Sequence, residues 1–494
     1  MSEPTEQPSE SLIPTRWLLF FLLVAFFAWG ARPLWEPDEG RYAETAREML
    51  VGGDWLVPHL QGVPHLTKPP LAYWLIAAGL KLLGMNAWGA RLFLDLAFFL
   101  TILCVVALAR TWGWSPGAAR AAGLVYSTAL LSFACSNIVS TDQFLTLWET
   151  LGVLCAWKVW SGAPRRHAWR LGFWAAFGLA FLTKGPPGWL PLLVIWLYQL
   201  RVKPIAPDRK LFSFPGFLLF LALAFGWYLA VVLKELSRLD YFLREEVFNR
   251  VFTGEHGRSK SPVFYFWVIP LGLAPWVFLW PALLRRALRR LRRGRGWRGW
   301  RAGWNALEPV HRFSALWFAV PLLVFTLSNS KMYLYVVPLM APVALWAGRL
   351  LVERWGAPWP PAGEGSRRAR LRYRTVAAAW LALMAAVRLM PDSAPRTRSH
   401  VELSRQILAL EPRPDRLYSE TSPPNSISFY TGLPITELDL DEEQILPHLH
   451  NELAAGRQIH LILKRDDLDD LLKFGWRELA GDDRLALITA RELD

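Results

Sequence analysis

The reading of this chain turns on two neighbouring stretches, WLLFFLLVAFFAWG (residues 17–30) and EPDEGRYAETAREML (residues 36–50). The first is apolar throughout. The second packs four Glu, one Asp and two Arg into fifteen residues, and apolar sequence resumes after it. A hydrophobic chain can carry such a knot if the first run lies in a bilayer and the knot sits at its surface.

Composition supports that reading. At 53% hydrophobic residues and a mean hydropathy of +0.21, a chain of 494 residues is too apolar for an ordinary soluble protein. The 28 Trp suit aromatic belts at the membrane interfaces. A net charge of +14 would fit nucleic acid. The basic residues, however, cluster in short loops between apolar runs, which is the positive-inside pattern, so no nucleic-acid partner is expected. Cys104, Cys135 and Cys155 lie in or at the ends of apolar runs and offer neither a disulfide framework nor zinc-ligand spacing. The first run follows an acidic, Arg-poor leader and lacks a small-residue cleavage site, so a retained span is expected.

The apolar spacing predicts an all-α polytopic membrane protein with about eleven transmembrane helices. These fall near 13–31, 91–109, 117–135, 143–160, 169–183, 187–200, 212–233, 263–284, 313–327, 332–350 and 375–390. The short amphipathic piece LAYWLIAAGLKLLG (71–84) reads as an interfacial helix. After about Met390, acidic residues rise and IHLILK and LALITA read as strands, while DEEQILPHLHNELAAG and DDLDDLLKFG read as helices. The expected organisation is a cytoplasmic tail (1–12), a transmembrane catalytic domain (13–390) with an outer loop (32–90), and a small extracytoplasmic α/β domain (391–494).

Every strongly basic loop, including RRALRRLRRGRGWRGWR and RRARLRYR, falls on one side of this alternation. That side is expected to be cytoplasmic. The motif-like polar segments collect on the other side: the knot and HLTKPPLAYW, SNIVSTD, TKGPPG, the loop after Lys234, and SNSKMYLY. The motif-like polar residues are therefore expected to converge on the outer face of the membrane.

The ordinary alternatives are weighed residue by residue. Arg41, Glu44, Thr45 and Glu48 have helical spacing, so part of the knot reads as a surface helix. Asp38 is the candidate general base toward a hydroxyl. Lys68, Lys184 and Lys331 each end an apolar run, where a single Lys would be an interfacial anchor. Three on the face that should be poor in cations point to an anion, most simply a phosphate. Asp142 in STDQF reads equally as a helix N-cap or a functional acid. Arg91 and Asp95, four residues apart, read as an internal ion pair. His256 reads as a loop residue that could support the site. The sequence assigns no cofactor; a divalent metal stays open, and no compact ligand motif names its residues.

PDEGRYAETAREMLVGGDWLVPHLQGVPHLTKPPLAYW, STDQFLTLWETLG, FLTKGPPGWLP and SNSKMYLYVVPLMAP resemble, in order, the aminoarabinose transferases of lipid A modification and the wider dolichyl-phosphate-mannose protein mannosyltransferase superfamily. The resemblance covers most of residues 15–350. It implies a GT-C glycosyltransferase that uses a polyprenyl-phosphate sugar, acts on the outer face with inversion, and transfers to a lipid, glycan or protein acceptor. By resemblance, Asp38 and Glu39 are catalytic, and Arg41, Lys68, Lys184, Lys331 and Tyr335 hold the lipid phosphate. In the aminoarabinose branch a Glu precedes the Lys of the KP motif. Thr67 stands there in this chain, which leaves the sugar and the acceptor open. The competing function class is a transporter or flippase of a lipid-linked sugar. It would favour mid-span polar residues and repeated halves.

Overall fold

In the computed structural model, residues 13–201, 210–242, 260–291, 296–358, 367–389, 399–420, 422–438, 459–472 and 476–490 are described. The expected tail (1–12), His256 and the helix expected over DEEQILPHLHNELAAG lie outside them.

Local chemistry fixes the helix ends. Helix α1 (Thr15–Phe26) starts directly after Pro14. The knot becomes helix α2 (Asp38–Gly52), closed by Gly53 in the left-handed conformation that glycine adopts without steric cost. A two-stranded turn (β1, His59–Leu60; β2, Val63–Pro64) leads to α3 (Leu71–Leu83). Helix α4 (Ala87–Thr111) is capped by Asn86, whose side chain accepts from the Gly89 amide. Helix α5 (Pro116–Thr128) has Ser115 as cap and Pro116 at its first position. It turns by 60° into α6 (Leu130–Ser136). Helices α7 (Asp142–Trp160), α8 (Arg166–Lys184), α9 (Leu190–Arg201) and α10 (Phe214–Lys234) follow. Beyond them come Phe264–Gly272 and Trp280–Leu291, then Pro309–Leu327, Met340–Trp355 and Arg367–Arg388.

Small residues let these helices touch backbone to backbone. A Cβ on Gly348 would stand 2.4 Å from the Ala122 amide nitrogen, so Met340–Trp355 and α5 are in direct contact. A Cβ on Gly79 would stand 2.2 Å from the Gly89 carbonyl oxygen, which holds α3 against α4. Helix α3 is thus seated on the bundle with Ala72, Tyr73, Ile76, Ala77 and Leu80 buried.

By length and composition, four of the described helices can cross a membrane, or six if each of two bent pairs forms one span. The sequence leads to about eleven. Helices α1 and α9 have only 12 residues each. Helices α7 and α8 carry charges along their length, among them Asp142, Glu149, Lys158, Arg166, Arg170 and Lys184.

The C-terminal region forms a five-stranded sheet in the order β4 (Ile435–Glu437), β3 (Leu417–Ser419), β5 (Ile459–Lys464), β7 (Leu485–Ala490), β6 (Arg477–Gly481). The β3 pairings are parallel and those of β7 antiparallel. Strand alternation sends Ile459, Leu461, Leu463, Ala486 and Ile488 to one face and Ile462 and Leu487 to the other. Both strands expected from sequence are present, and part of DDLDDLLKFG forms a short helix, Leu468–Leu472.

Candidate active site

Helix α2 lies between the bundle and the C-terminal region, and its first turn splits the two acidic residues of the knot. Glu39 points inward. Its Oε1 accepts from Arg91 Nε (3.0 Å), Arg91 Nη2 (2.8 Å) and the Val139 amide (3.1 Å). Its Oε2 accepts from Arg32 Nη2 (2.8 Å) and the Trp35 amide (3.0 Å). Burial alone would raise its pKa; Arg32, Arg91 and these amides outweigh that and hold the carboxyl below its ordinary value. Burial also pulls the Arg32 guanidinium down to about 10, against the pull of Glu39. With both oxygens filled, Glu39 has no lone pair directed at a substrate. Glu39, expected from sequence to be catalytic, is thus tied into the protein's own bonding network.

The same cluster corrects the expected Arg91–Asp95 pair. Arg91 serves Glu39, and Asp95 instead accepts from Arg388 Nη2 at 2.9 Å. Arg388 also donates to Asn137 Oδ1 (2.8 Å) and to the Ala25 and Phe27 carbonyls. The Asn137 carbonyl in turn accepts from Arg32 (2.6 Å). Sequence reasoning passed over Arg32, Asn137 and Arg388. The available signal was an isolated arginine at the end of an apolar run, which needs an internal partner.

Asp38 points the other way. Its Oδ1 accepts from Arg41 Nη2 at 2.6 Å, and the side chain is 33% exposed. Its second oxygen accepts no hydrogen bond among the described residues. Beside it, Tyr42 lies within electrostatic reach of Arg41, Lys184, Asp142 and Asp38, and its ring packs against Tyr73 with centroids 5.5 Å apart. Asp142 opens α7, but its side chain is committed to an ion pair with Lys184 Nζ rather than to capping. The Lys184 ammonium sits 4.7 Å from the centre of the Tyr335 ring. Residues from α2, α7, α8 and the turn Tyr333–Leu339 thus meet around Lys184.

The KP turn forms the neighbouring wall. Thr67 Oγ1 and His65 Nε2 are 2.9 Å apart, and Lys68 Nζ donates to the Thr67 carbonyl. Burial first, then the charges of Arg41 and Lys68, depress the His65 pKa to about 4. His65 is therefore neutral at neutral pH in a positively charged corner, which suits an anionic ligand. His65 was not singled out from the sequence. Next to it, residues 64–67 and Glu235, Arg238 and Tyr241 line a cleft of about 330 Å³. Lys331 is buried, with its ammonium donating to the Ser328 carbonyl at 2.5 Å, a bond that uses one of its three N–H donors. Tyr265, also not singled out from the sequence, donates to the Met332 carbonyl (3.2 Å) at the same loop. Glu149 lies buried on α7 within electrostatic reach of Lys184 and Asp142. Among the described residues, no three His, Cys, Asp or Glu side chains converge closely enough to hold a metal ion.

The C-terminal region braces this arrangement. Gln61 Nε2 donates to Asn425 Oδ1 (3.2 Å) and Ser428 Oγ (2.8 Å), and its Oε1 accepts from the Ile435 amide (3.0 Å). Glu36 accepts from the Ser426 amide, and Tyr430 Oη accepts from the Leu34 amide (2.8 Å).

Comparison with known proteins agrees with this architecture. A chain from Pseudomonas aeruginosa PAO1, named undecaprenyl phosphate-alpha-4-amino-4-deoxy-L-arabinose arabinosyl transferase, is 34% identical over 348 residues, which is 67% of this chain and 59% of that one. A Proteus mirabilis relative of the same name is 31% identical over 346 residues, covering 68% and 58% of the two chains. The matched segment thus spans less than two thirds of these relatives' own length. The crystal structure of ArnT from Cupriavidus metallidurans bound to undecaprenyl phosphate superposes with a TM-score of 0.73 at 22% identity, covering 96% of this chain and 98% of that one. The Archaeoglobus fulgidus oligosaccharyltransferase AglB, in complex with an inhibitory peptide and a dolichol-phosphate, gives 0.57 at 13% identity, covering 92% and 69%. The whole chain therefore shares a fold with these structures. Residues 15–242 match the dolichyl-phosphate-mannose-protein mannosyltransferase family, and it is to this family that the part of the chain carrying the knot, the KP turn and Lys184 belongs.

Proposed function

We propose that this protein is an integral membrane glycosyltransferase that moves a sugar from a polyprenyl-phosphate-linked donor to a lipid, glycan or protein acceptor. The observation that carries the proposal is the half-open Asp38 carboxylate beside Arg41, with Tyr42 within electrostatic reach of both and of Lys184, which sits against Tyr335. In the proposed step, an acceptor oxygen attacks the anomeric carbon as its bond to the phosphate oxygen breaks, which inverts the configuration. The bond electrons leave with the lipid phosphate. Arg41, Lys68, Lys184 and Lys331 stabilise the growing charge, as preorganised cations do in a site shielded from water. Asp38 takes the proton of a hydroxyl acceptor; toward an ionised phosphate acceptor it orients groups instead. Tyr335 orients Lys184. Asp142 holds Lys184 charged and in register, and Glu39 fixes the helix that presents Asp38.

The full reading includes about eleven spans, a cytoplasmic N-terminus, a catalytic domain to residue 390 and an outer domain from 391 to 494, with the site facing outward from the inner membrane. It is supported by the segregation of the basic loops. The relatives are named for aminoarabinose, whereas Thr67 stands where that branch carries Glu, so the sugar is left unassigned.

Mass spectrometry of envelope lipids and glycoproteins from cells with and without the protein tests this function. One glycosylated species should disappear with the gene and return with the wild-type chain but not with Asp38→Asn. Unchanged glycosylation throughout would refute the proposal.

A further inference from the structure

A second cavity lies at the other end of the bundle. Helix Trp280–Leu291 follows a 114° turn in the chain and has the sequence WPALLRRALRRL. Trp280, Leu283, Leu284 and Ala287 fall on one side of it, Arg285 and Arg289 on the opposite side, and Arg286 and Arg290 along one edge of the apolar side. That pattern suits a helix lying in the plane of a membrane surface. Its apolar side closes a cavity of about 310 Å³ whose other walls include Trp114, Phe318, Ala319 and Trp346. Arg286, Arg290, His311 and Arg349 line the same cavity.

These cations exceed their partners. Glu353 is shared by Arg286 and Arg349, and His311 has the exposed Glu308 at 3.1 Å. No salt bridge holds Arg290 among the described residues; Arg286 and Arg349 are within its electrostatic reach, and so are Glu353 and Glu308, the same two carboxylates that the other cations share. An apolar chamber with surplus guanidinium groups complements an amphiphile whose head is an anion.

The cavity is separate from the candidate active site. Arg91 and Trp114 lie near opposite ends of α4, whose 25 residues span about 37 Å. Arg91 binds Glu39 at one end, and Trp114 lines this cavity at the other.

We propose that this cavity binds an anionic phospholipid of the bilayer, with its phosphate on Arg290 and Arg286 and one acyl chain among Leu284, Phe318 and Trp346. The proposal does not depend on the catalytic reading above. Native mass spectrometry of the purified full chain, titrated with phosphatidylglycerol, phosphatidylcholine or inorganic phosphate, tests it. Phosphatidylglycerol should be retained in preference to phosphatidylcholine, and inorganic phosphate should not displace it. Arg290→Gln, which removes one half-buried charge at the cavity wall, should weaken retention about tenfold, the scale of one charge-assisted hydrogen bond. Ala319→Trp, which fills the chamber, should also weaken it while thermal stability is kept. Equal retention of phosphatidylcholine, displacement by inorganic phosphate, or parental retention by both variants would overturn the proposal.

Discussion

Asp38 and Glu39 are adjacent in sequence and divided in space: Asp38 keeps one carboxylate oxygen open beside Arg41, while both oxygens of Glu39 are filled by Arg32, Arg91 and two backbone amides. The two conservative amide substitutions should therefore fail in different ways. Asp38→Asn should express, insert and bind donor within a few-fold of wild type, yet lose about 10²–10⁴-fold in turnover, the contribution of a positioned base. Glu39→Gln leaves two buried guanidinium groups underpaired and should cost about 3–5 kcal/mol of stability. Thermal melting in detergent read beside turnover separates the two. Equal melting points with equal activity loss would contradict the division.

Lys184 and Asp142 form an ion pair within the candidate site. Lys184→Ala should weaken donor binding by about 1.5–3 kcal/mol, the scale of a hydrogen bond to a charged group. Asp142→Asn removes the partner but keeps the cation, so its effect on binding should be smaller. The double variant should fall short of the sum, because the residues share one interaction. Additive losses in a binding titration would show that they act independently.

His65 supplies a pH signature. Its pKa is depressed to about 4 by burial and by Arg41 and Lys68. An anionic donor placed among those charges favours protonated His65 and raises that pKa. The complex then binds more protons than the free protein, so donor affinity should strengthen as pH falls from about 6 toward 4. In His65→Asn the slope should vanish. A slope that persists in the variant would move the titrating group elsewhere. For folding the sign is opposite: His65 binds fewer protons folded than unfolded, so its contribution to stability declines across the same fall in pH.

Gln61 ties the turn after α2 to the C-terminal region through Asn425, Ser428 and Ile435. Gln61→Gly accommodates the left-handed backbone found there (φ 53°) and deletes only the side-chain bridge. Limited proteolysis of this variant should cleave the C-terminal region faster than in wild type, and turnover should fall with it. Wild-type protection would mean that the Glu36 and Tyr430 contacts suffice.

Topology is open to cysteine labelling, because the three native cysteines are buried. Arg405→Cys should react with an impermeant maleimide from outside the cell and Arg301→Cys only after permeabilisation. The reverse pattern would undo the outward-facing assignment.

Much of this was legible in the sequence because membranes enforce simple rules. The apolar runs over 91–109 and 212–233 became α4 and α10, and the alternating residues of IHLILK and LALITA became paired strands. Lys68, Lys184 and Lys331 stand out in the sequence as lysines ending apolar runs and Asp38 as an acid at the membrane surface, whereas Arg41 and Tyr335 as site residues come only with the family resemblance. Local spacing failed where long-range partners decide. Arg91 lies one turn from Asp95, yet each is satisfied by a residue far along the chain, Glu39 and Arg388 respectively. His65 and Gln61 gave no signal, since their roles come from what the fold sets beside them. The helix charges of α7 and α8 likewise became interpretable only once Asp142 faced Lys184.

The brace between the knot and the C-terminal region carries a consequence for biosynthesis. Glu36 waits for Ser426, 390 residues later, and Leu34 for Tyr430, 396 residues later. A ribosome delivers those partners only long after the outer loop has emerged. The loop around Asp38 is therefore completed well after it is made, and a nascent chain stalled before Ser426 carries every candidate site residue from Asp38 to Tyr335 while still lacking these bracing contacts. On the proposed function, competence for transfer would arrive as a late step of maturation, when loops with such distant contacts close.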